Sequence, residues 1–173
     1  GHHRRPGRMD ETAFARVLDQ LTGQTQYIYY HLMGEPLTHP ELPLFLKMAA
    51  DKGFRSVITT NGTLLDKKGQ LLLDAKVHKV SISLHSLEAG EMEDYLEQVA
   101  AFADTAAGTE TLVSLRLWNR GFDGGRNDQT LDFLKSVING QWAENTRGIR
   151  IRDKFYLEWG DRFQWPDKAA PVQ

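Results

Sequence analysis

The stretch Lys79-Val80-Ser81-Ile82-Ser83-Leu84-His85-Ser86 alternates between apolar and polar residues. On a β-strand, Val80, Ile82 and Leu84 would face one side, and Ser81, Ser83 and His85 the other. Leu112 to Trp118 repeats the pattern, with Val113, Leu115 and Leu117 alternating with Ser114 and Arg116. A parallel strand covered by helices on both faces is apolar throughout. One polar face is expected where parallel strands line an open lumen, so the alternation favours a barrel over a flat, doubly covered sheet.

Outward from this stretch, short strand-like runs alternate with helical ones. Asp10 is placed to cap a helix reaching Leu21, with Phe14, Val17, Leu18 and Leu21 on one face and Gly23 beyond its end. Tyr27 to Met33 is β-prone and closes on Gly34-Glu35-Pro36. A helix over Glu41 to Asp51 follows, then a strand over Ser56 to Thr60, the Asn61-Gly62 turn and a helix through Leu71, Leu72 and Leu73. Beyond the quoted strand, Met92, Tyr95, Leu96, Val99, Phe102 and Ala103 form one helical stripe. After the Leu112–Trp118 strand comes the glycine-rich loop 121–127, and Asp128 reads as the cap of a helix carrying Leu131, Leu134, Val137 and Ile138. Ile149 to Ile151 and Phe155 to Trp159 supply one last strand or a broken pair. Strands separated by helices of this length imply βαβ units and a parallel sheet. The expected fold is α/β, a partial (β/α)6-type TIM barrel with helices on its outer face. Because the alternation starts on a helix, its first strand is expected to be missing.

The 173 residues fit one domain, with a core over 10–161 and a tail over 162–173. Hydrophobic residues make up 40%, charged residues 25%, and the net charge is -2. This balance argues against nucleic acid as a partner, since such domains carry a basic excess. No apolar run is long enough for a membrane helix, and the cytoplasm is the default compartment. There is no cysteine, which excludes disulfides, thiolate metal sites and cysteine nucleophiles within the chain. His2 and His3, beside the free terminus, read as a tag remnant and receive no metal role.

In parallel βα folds, ligands meet the carboxyl ends of the strands. Those ends carry Gly34-Glu35-Pro36, Thr59-Thr60-Asn61-Gly62, Ser83-Leu84-His85-Ser86 and Arg116 to Asn119. Singly, each reads as an ordinary turn or a solvated edge. Together, Met33-Gly34-Glu35-Pro36, Ile58-Thr59-Thr60-Asn61-Gly62 and Val80-Ser81-Ile82-Ser83 resemble three successive strand ends of radical S-adenosylmethionine enzymes, in that family's order. The family usually has Gly-Gly-Glu-Pro, and here Met33 replaces the first glycine. The resemblance implies S-adenosylmethionine as cofactor, held by Gly34, Glu35, Pro36, Thr60, Asn61 and Ser83. Glu35 and nearby backbone carbonyls would hold its ammonium group. Arg116 would pair with its carboxylate through a bidentate fork, or form a salt bridge to a lumen carboxylate such as Glu158. Tyr29, His31, Asn119 and Glu158 are candidates to line a substrate cavity. No residue is assigned as catalytic or as a metal ligand.

The resemblance also implies a 4Fe–4S cluster bound by CxxxCxxC after the first strand. The chain has neither, so it is expected to be the truncated core of a longer enzyme, inert alone and weak in cofactor binding. The substrate could be a peptide or a small molecule. The sheet edge at Tyr27 is expected to be covered by a tail or a neighbouring molecule. Two other readings remain. One is a cluster-free barrel acting as a binding or interaction module. The other is a sugar-phosphate barrel using Gly124-Gly125 as its phosphate turn, although no lysine lies nearby.

Overall fold

The computed structural model describes residues 7–31, 34–84, 92–118, 123–146 and 148–160. Helix α1 (Glu11–Leu21) is capped by Asp10, whose Oδ1 accepts the Ala13 N–H at 2.8 Å. It buries Phe14 and Leu18 against Ile28 and Phe45. Strand β1 (Tyr27–Tyr30) is followed by a short 3₁₀ turn, Pro36–Thr38, and by α2 (Leu42–Asp51). Three βα steps follow: β2 (Arg55–Thr60) with α3 (Leu65–Asp74), β3 (Lys79–Ser83) with α4 (Met92–Ala107), and β4 (Leu112–Leu117) with α5 (Arg126–Val137). The end of the described chain holds β5 (Ala143–Asn145), β6 (Gly148–Arg152) and β7 (Phe155–Trp159).

The sheet has seven strands in the order β1-β2-β3-β4-β7-β6-β5 and is not closed. β1 to β4 and β7 run parallel, whereas β6 and β5 are antiparallel to their neighbours. The final strand or broken pair read from the sequence is therefore a hairpin. Its second strand joins β4 in parallel and its first lies outside. Tight loops produce antiparallel neighbours, and only a helical crossover returns a strand in parallel.

Ile58, Val80, Ile82, Val113, Leu115, Leu117 and Leu157 form one core with Leu46, Leu72, Leu96, Val99 and Leu134 of the helices. Helices α2 to α5 thus pack on the same side, and α1 joins them through Phe14 and Leu18 against Ile28 and Phe45, the geometry of a partial barrel. The opposite, concave face carries two registered rows, Thr59–Ser81–Ser114–Tyr156 and Ser83–Arg116–Glu158. The polar face exists where the alternation places it, but Ser81, Ser83 and Ser114 are buried. Short hydroxyls on a curved face lie below the longer side chains around them, so water meets the lysine, arginine and glutamate heads instead.

Two boundaries differ from the sequence reading. β1 ends at Tyr30, and Met33 lies outside the described residues. Helix α5 starts at Arg126 after Gly124 and Gly125, both at positive φ, so Asp128 sits inside its first turn. The capping acceptor is Asp123, whose Oδ2 takes the Asn127 N–H at 2.7 Å. The two glycines turn the chain early enough for the helix to begin before Asp128. His85, Ser86, Asn119, Gly121, His2, His3 and the tail 162–173 lie outside the described residues.

Candidate functional site

The turn after β1 is organised by one carboxylate. Glu35 Oε1 accepts the Leu37 N–H at 3.1 Å and the Thr60 hydroxyl at 2.8 Å, while Oε2 accepts the Asn61 N–H at 2.8 Å. The first bond caps the 3₁₀ turn, with Pro36 at its start supplying a fixed φ and needing no donor partner. The other two cross to the end of β2. A carboxylate can accept about four hydrogen bonds, so these contacts leave room for one more donor. Gly34, just before it, has φ +90°, and a Cβ there would meet nothing within 4 Å. Among the described residues the space beside its Cα is therefore free.

The end of β2 is held from two further directions. Thr60 Oγ1 accepts the Gly62 N–H at 3.1 Å, and Asn61 Oδ1 accepts from Thr63 N at 3.0 Å and Thr63 Oγ1 at 2.8 Å. The Asn61 side chain therefore closes its own turn. Tyr95 on α4 donates its hydroxyl to the Asn61 carbonyl at 2.6 Å and lies 3.5 Å from the Ser83 carbonyl. Burial pushes the Tyr95 phenol above its usual range, and the nearby Glu35 carboxylate adds to the shift. Tyr95 is consequently a fixed donor across the neutral range. Gly62 is the price of this approach: at φ +81° its missing Cβ would lie 3.0 Å from the Tyr95 hydroxyl and 3.1 Å from Ile82 and Val99.

Glu35, Thr60 and Asn61 thus form one hydrogen-bonded unit, with Gly34 and Pro36 flanking Glu35 in the chain, and Tyr95 extends it to Ser83. The Leu84 N–H donates to the Arg116 carbonyl at 3.0 Å, tying the end of β3 to β4. The Arg116 side chain stands apart. Its guanidinium stacks over Trp118, 4.5 Å from the ring centroid, and its Nε lies 3.9 Å from Glu158 Oε2. Glu158 makes its closer contact with Lys79 Nζ at 3.0 Å. Burial alone would raise the Glu158 carboxyl, but the bond and charge of Lys79, helped by the charge of Arg116, hold it below its usual range. Of the two partners expected for Arg116, Glu158 is present as a loose ion-pair partner. Tyr29 faces the concave side and is 60% exposed, its ring edge-on to His31 at 5.9 Å.

Sequence reading missed Tyr95 and Lys79. Tyr95 was legible only as one more member of an apolar stripe, although a buried tyrosine hydroxyl needs a partner. Lys79 carried no signal, since its partner lies 79 residues away.

The cluster expected from the resemblance finds no ligands here. The chain has no cysteine, and the described residues contain no group of three or more His, Asp or Glu side chains placed to hold a metal.

Comparison with known proteins agrees with this geometry. The chain is 45% identical over 144 residues to a GTP 3',8-cyclase of Aliarcobacter butzleri, covering 79% of this chain and 41% of that one. It is 36% identical over 80 residues to an AdoMet-dependent heme synthase of Methanosarcina barkeri, covering 46% of this chain and 23% of that one. The crystal structure of BtrN in complex with AdoMet and 2-DOIA superposes with a TM-score of 0.50 at 25% identity, covering 65% of this chain and 46% of that one. The chain therefore spans less than half the length of these relatives. The family model described as the Radical SAM superfamily matches residues 1–118, which include β1 to β4 and every strand end assembled above. With the motif order, the parallel half-barrel and this match in agreement, the chain belongs to the radical SAM superfamily, whose members use S-adenosylmethionine and a 4Fe–4S cluster.

Proposed function

We propose that the linked strand ends are the S-adenosylmethionine-binding rim of a radical enzyme whose cluster ligands lie in polypeptide outside these 173 residues. The observation that carries this reading is the Glu35 carboxylate. It joins the Gly34–Pro36 turn to Thr60 and Asn61 and keeps one acceptor position for a ligand ammonium. The residues fit the cofactor. The open backbone at Gly34 and the remaining Glu35 position would take the amino group, Ser83 would meet the ribose or carboxylate, and Arg116 would pair with the carboxylate. Pro36, Thr60 and Asn61 act by holding Glu35 and the turn in place. The residues do not fit the cluster, so no step of the chemistry is assigned to this chain alone. A cluster held by a longer polypeptide would supply the electron for reductive cleavage of the cofactor, and the residues named here would hold and orient the cofactor for it.

Two further parts of the proposal follow. β1 has a paired neighbour on one side only among the described residues, so its open edge is the place for the strand that precedes the cluster loop. The name of the GTP 3',8-cyclase that covers most of this chain favours a small-molecule substrate over a peptide.

The test has two stages. Titrated into the 173-residue chain, S-adenosylmethionine should bind at millimolar strength or weaker and shift the amides of Gly34, Asn61 and Ser83. Loss of a bidentate metal contact accounts for that weakness. A longer polypeptide carrying a CxxxCxxC segment, reconstituted without oxygen, should show the absorbance of a 4Fe–4S cluster and release 5′-deoxyadenosine. Failure to bind a cluster, or cofactor-induced shifts away from these strand ends, would overturn the reading.

A further inference from the structure

At the other end of the sheet lies a cavity that the strand-end site does not use. It has a volume of about 510 Å³, within the range of small-molecule pockets. It opens where β2, β3, β4 and β7 begin, and the six residues of β2 put it roughly 17–20 Å from the strand ends that carry Thr60 and Asn61. Its basic lining is Arg55, Lys76, His78 and Lys154, against a single acid, Glu110. This is a positive site on a chain whose net charge is -2. Glu110 is already engaged, 3.1 Å from Lys154 Nζ. Arg55 and Lys76 have no carboxylate within ion-pair distance among the described residues; Arg55 lies over the Tyr27 ring, 5.9 Å from its centroid, with a long 3.4 Å contact to the Tyr27 hydroxyl.

The backbone points to the same place. Only three non-glycine residues among those described have positive φ: Lys76, Trp142 and Lys154. Two of the three are lysines on the rim of this cavity. Lys76, at φ +50°, directly follows the C-cap of α3, a position that glycine ordinarily fills. Glycine would remove the backbone cost there, and the one thing it would not supply is a cation. Strain of this kind is retained where another requirement outweighs it. Burial, and then the positive charges of Arg55 and Lys79, hold the His78 imidazole below its usual range, a second sign of local positive potential.

We propose that this cavity is a second ligand site, which takes a small organic phosphate with its anionic head between Arg55 and Lys76 and its apolar body on Leu46 and Phe54. Two cations without a carboxylate partner match a phosphate dianion, and arginine offers it a fork of donors. Leu46 and Phe54 line the same cavity and give it an apolar floor. The proposal is independent of the strand-end site.

The experiment uses the 173-residue chain and amide NMR, with phenyl phosphate as probe and benzyl alcohol as its uncharged counterpart. Phenyl phosphate should give saturable shifts clustered on Arg55, Lys76, His78 and Leu112, weakening as salt is raised. Benzyl alcohol should leave these amides unmoved. Lys76→Gly combined with Arg55→Gln should weaken binding about tenfold or more. Lys76→Gly relieves the positive φ, so the fold should survive, and Lys76→Met serves as a second variant that removes the charge. Absence of saturation up to about 10 mM phenyl phosphate, equal shifts from benzyl alcohol, or unchanged affinity in the charge-removing variants would each overturn the proposal.

Discussion

Glu35 Oε2 accepts the Asn61 N–H at 2.8 Å, across 26 residues of sequence, and this bond joins the end of β1 to the end of β2. The same carboxylate also receives Thr60 Oγ1 and Leu37 N, so it is a structural clamp before it is anything else. Glu35→Ala leaves three donors without their acceptor and should cost about 2–4 kcal/mol of stability, read by urea denaturation. Glu35→Gln keeps a carbonyl acceptor and should cost less. A loss under about 0.5 kcal/mol for the alanine variant would mean that the clamp is not formed in solution.

Two glycines at positive φ separate backbone strain from crowding. Gly124→Ala, at φ +66° with nothing within 4 Å of the new Cβ, should lose only the left-handed penalty of about 1–2 kcal/mol. Gly62→Ala adds contacts of 3.0–3.1 Å with Tyr95, Ile82 and Val99. It should therefore lose clearly more in the same denaturation assay, and equal losses would show that α4 yields freely.

Tyr95→Phe removes the donor to the Asn61 carbonyl and should cost about 1 kcal/mol, with amide shifts confined to the ends of β2 and β3. Because the folded phenol titrates above its ordinary value, its contribution is complete below about pH 10 and is lost as pH rises through the folded value. Wild type should therefore lose stability above about pH 10 more steeply than Tyr95→Phe. Parallel alkaline limbs would count against the buried hydroxyl.

Glu158 titrates in the opposite sense. Its folded carboxyl is held below the usual range, so its stabilising contribution is present above the ordinary glutamate value and is lost as pH falls through the folded one. With 38% of its side chain exposed, the ion pair with Lys79 should contribute no more than about 1 kcal/mol. Glu158→Gln should flatten the acid limb of the stability curve, and high salt should do part of the same. An unchanged acid limb would show that Lys79 and Glu158 do not pair.

The open edge of β1 carries Tyr29, 60% exposed, beside a hydrogen-bonding row that is unpaired among the described residues. Light scattering should find concentration-dependent association of the isolated chain, and Tyr29→Lys should reduce it, since edge lysines oppose strand pairing. A monomer at all concentrations would remove the edge as a pairing surface.

Alternation along Lys79–Ser86 and Leu112–Trp118 was enough to place β3 and β4 and to say which face of each meets the helices. Those periodicities belong to local backbone geometry, which neighbouring residues carry by themselves. The order of Gly34-Glu35-Pro36, Thr60-Asn61 and Ser83 was likewise legible, and with it the family. The antiparallel hairpin of β6 and β7 was only half visible, because both pairings suit the same short apolar runs and the two-residue connection decides between them. Nothing local marks Tyr95 as the donor to Asn61, or Lys79 as the partner of Glu158. Only tertiary structure decided those contacts, because a hydrogen bond or ion pair forms when folding brings two distant side chains within about 3 Å, and residue order records no such distance.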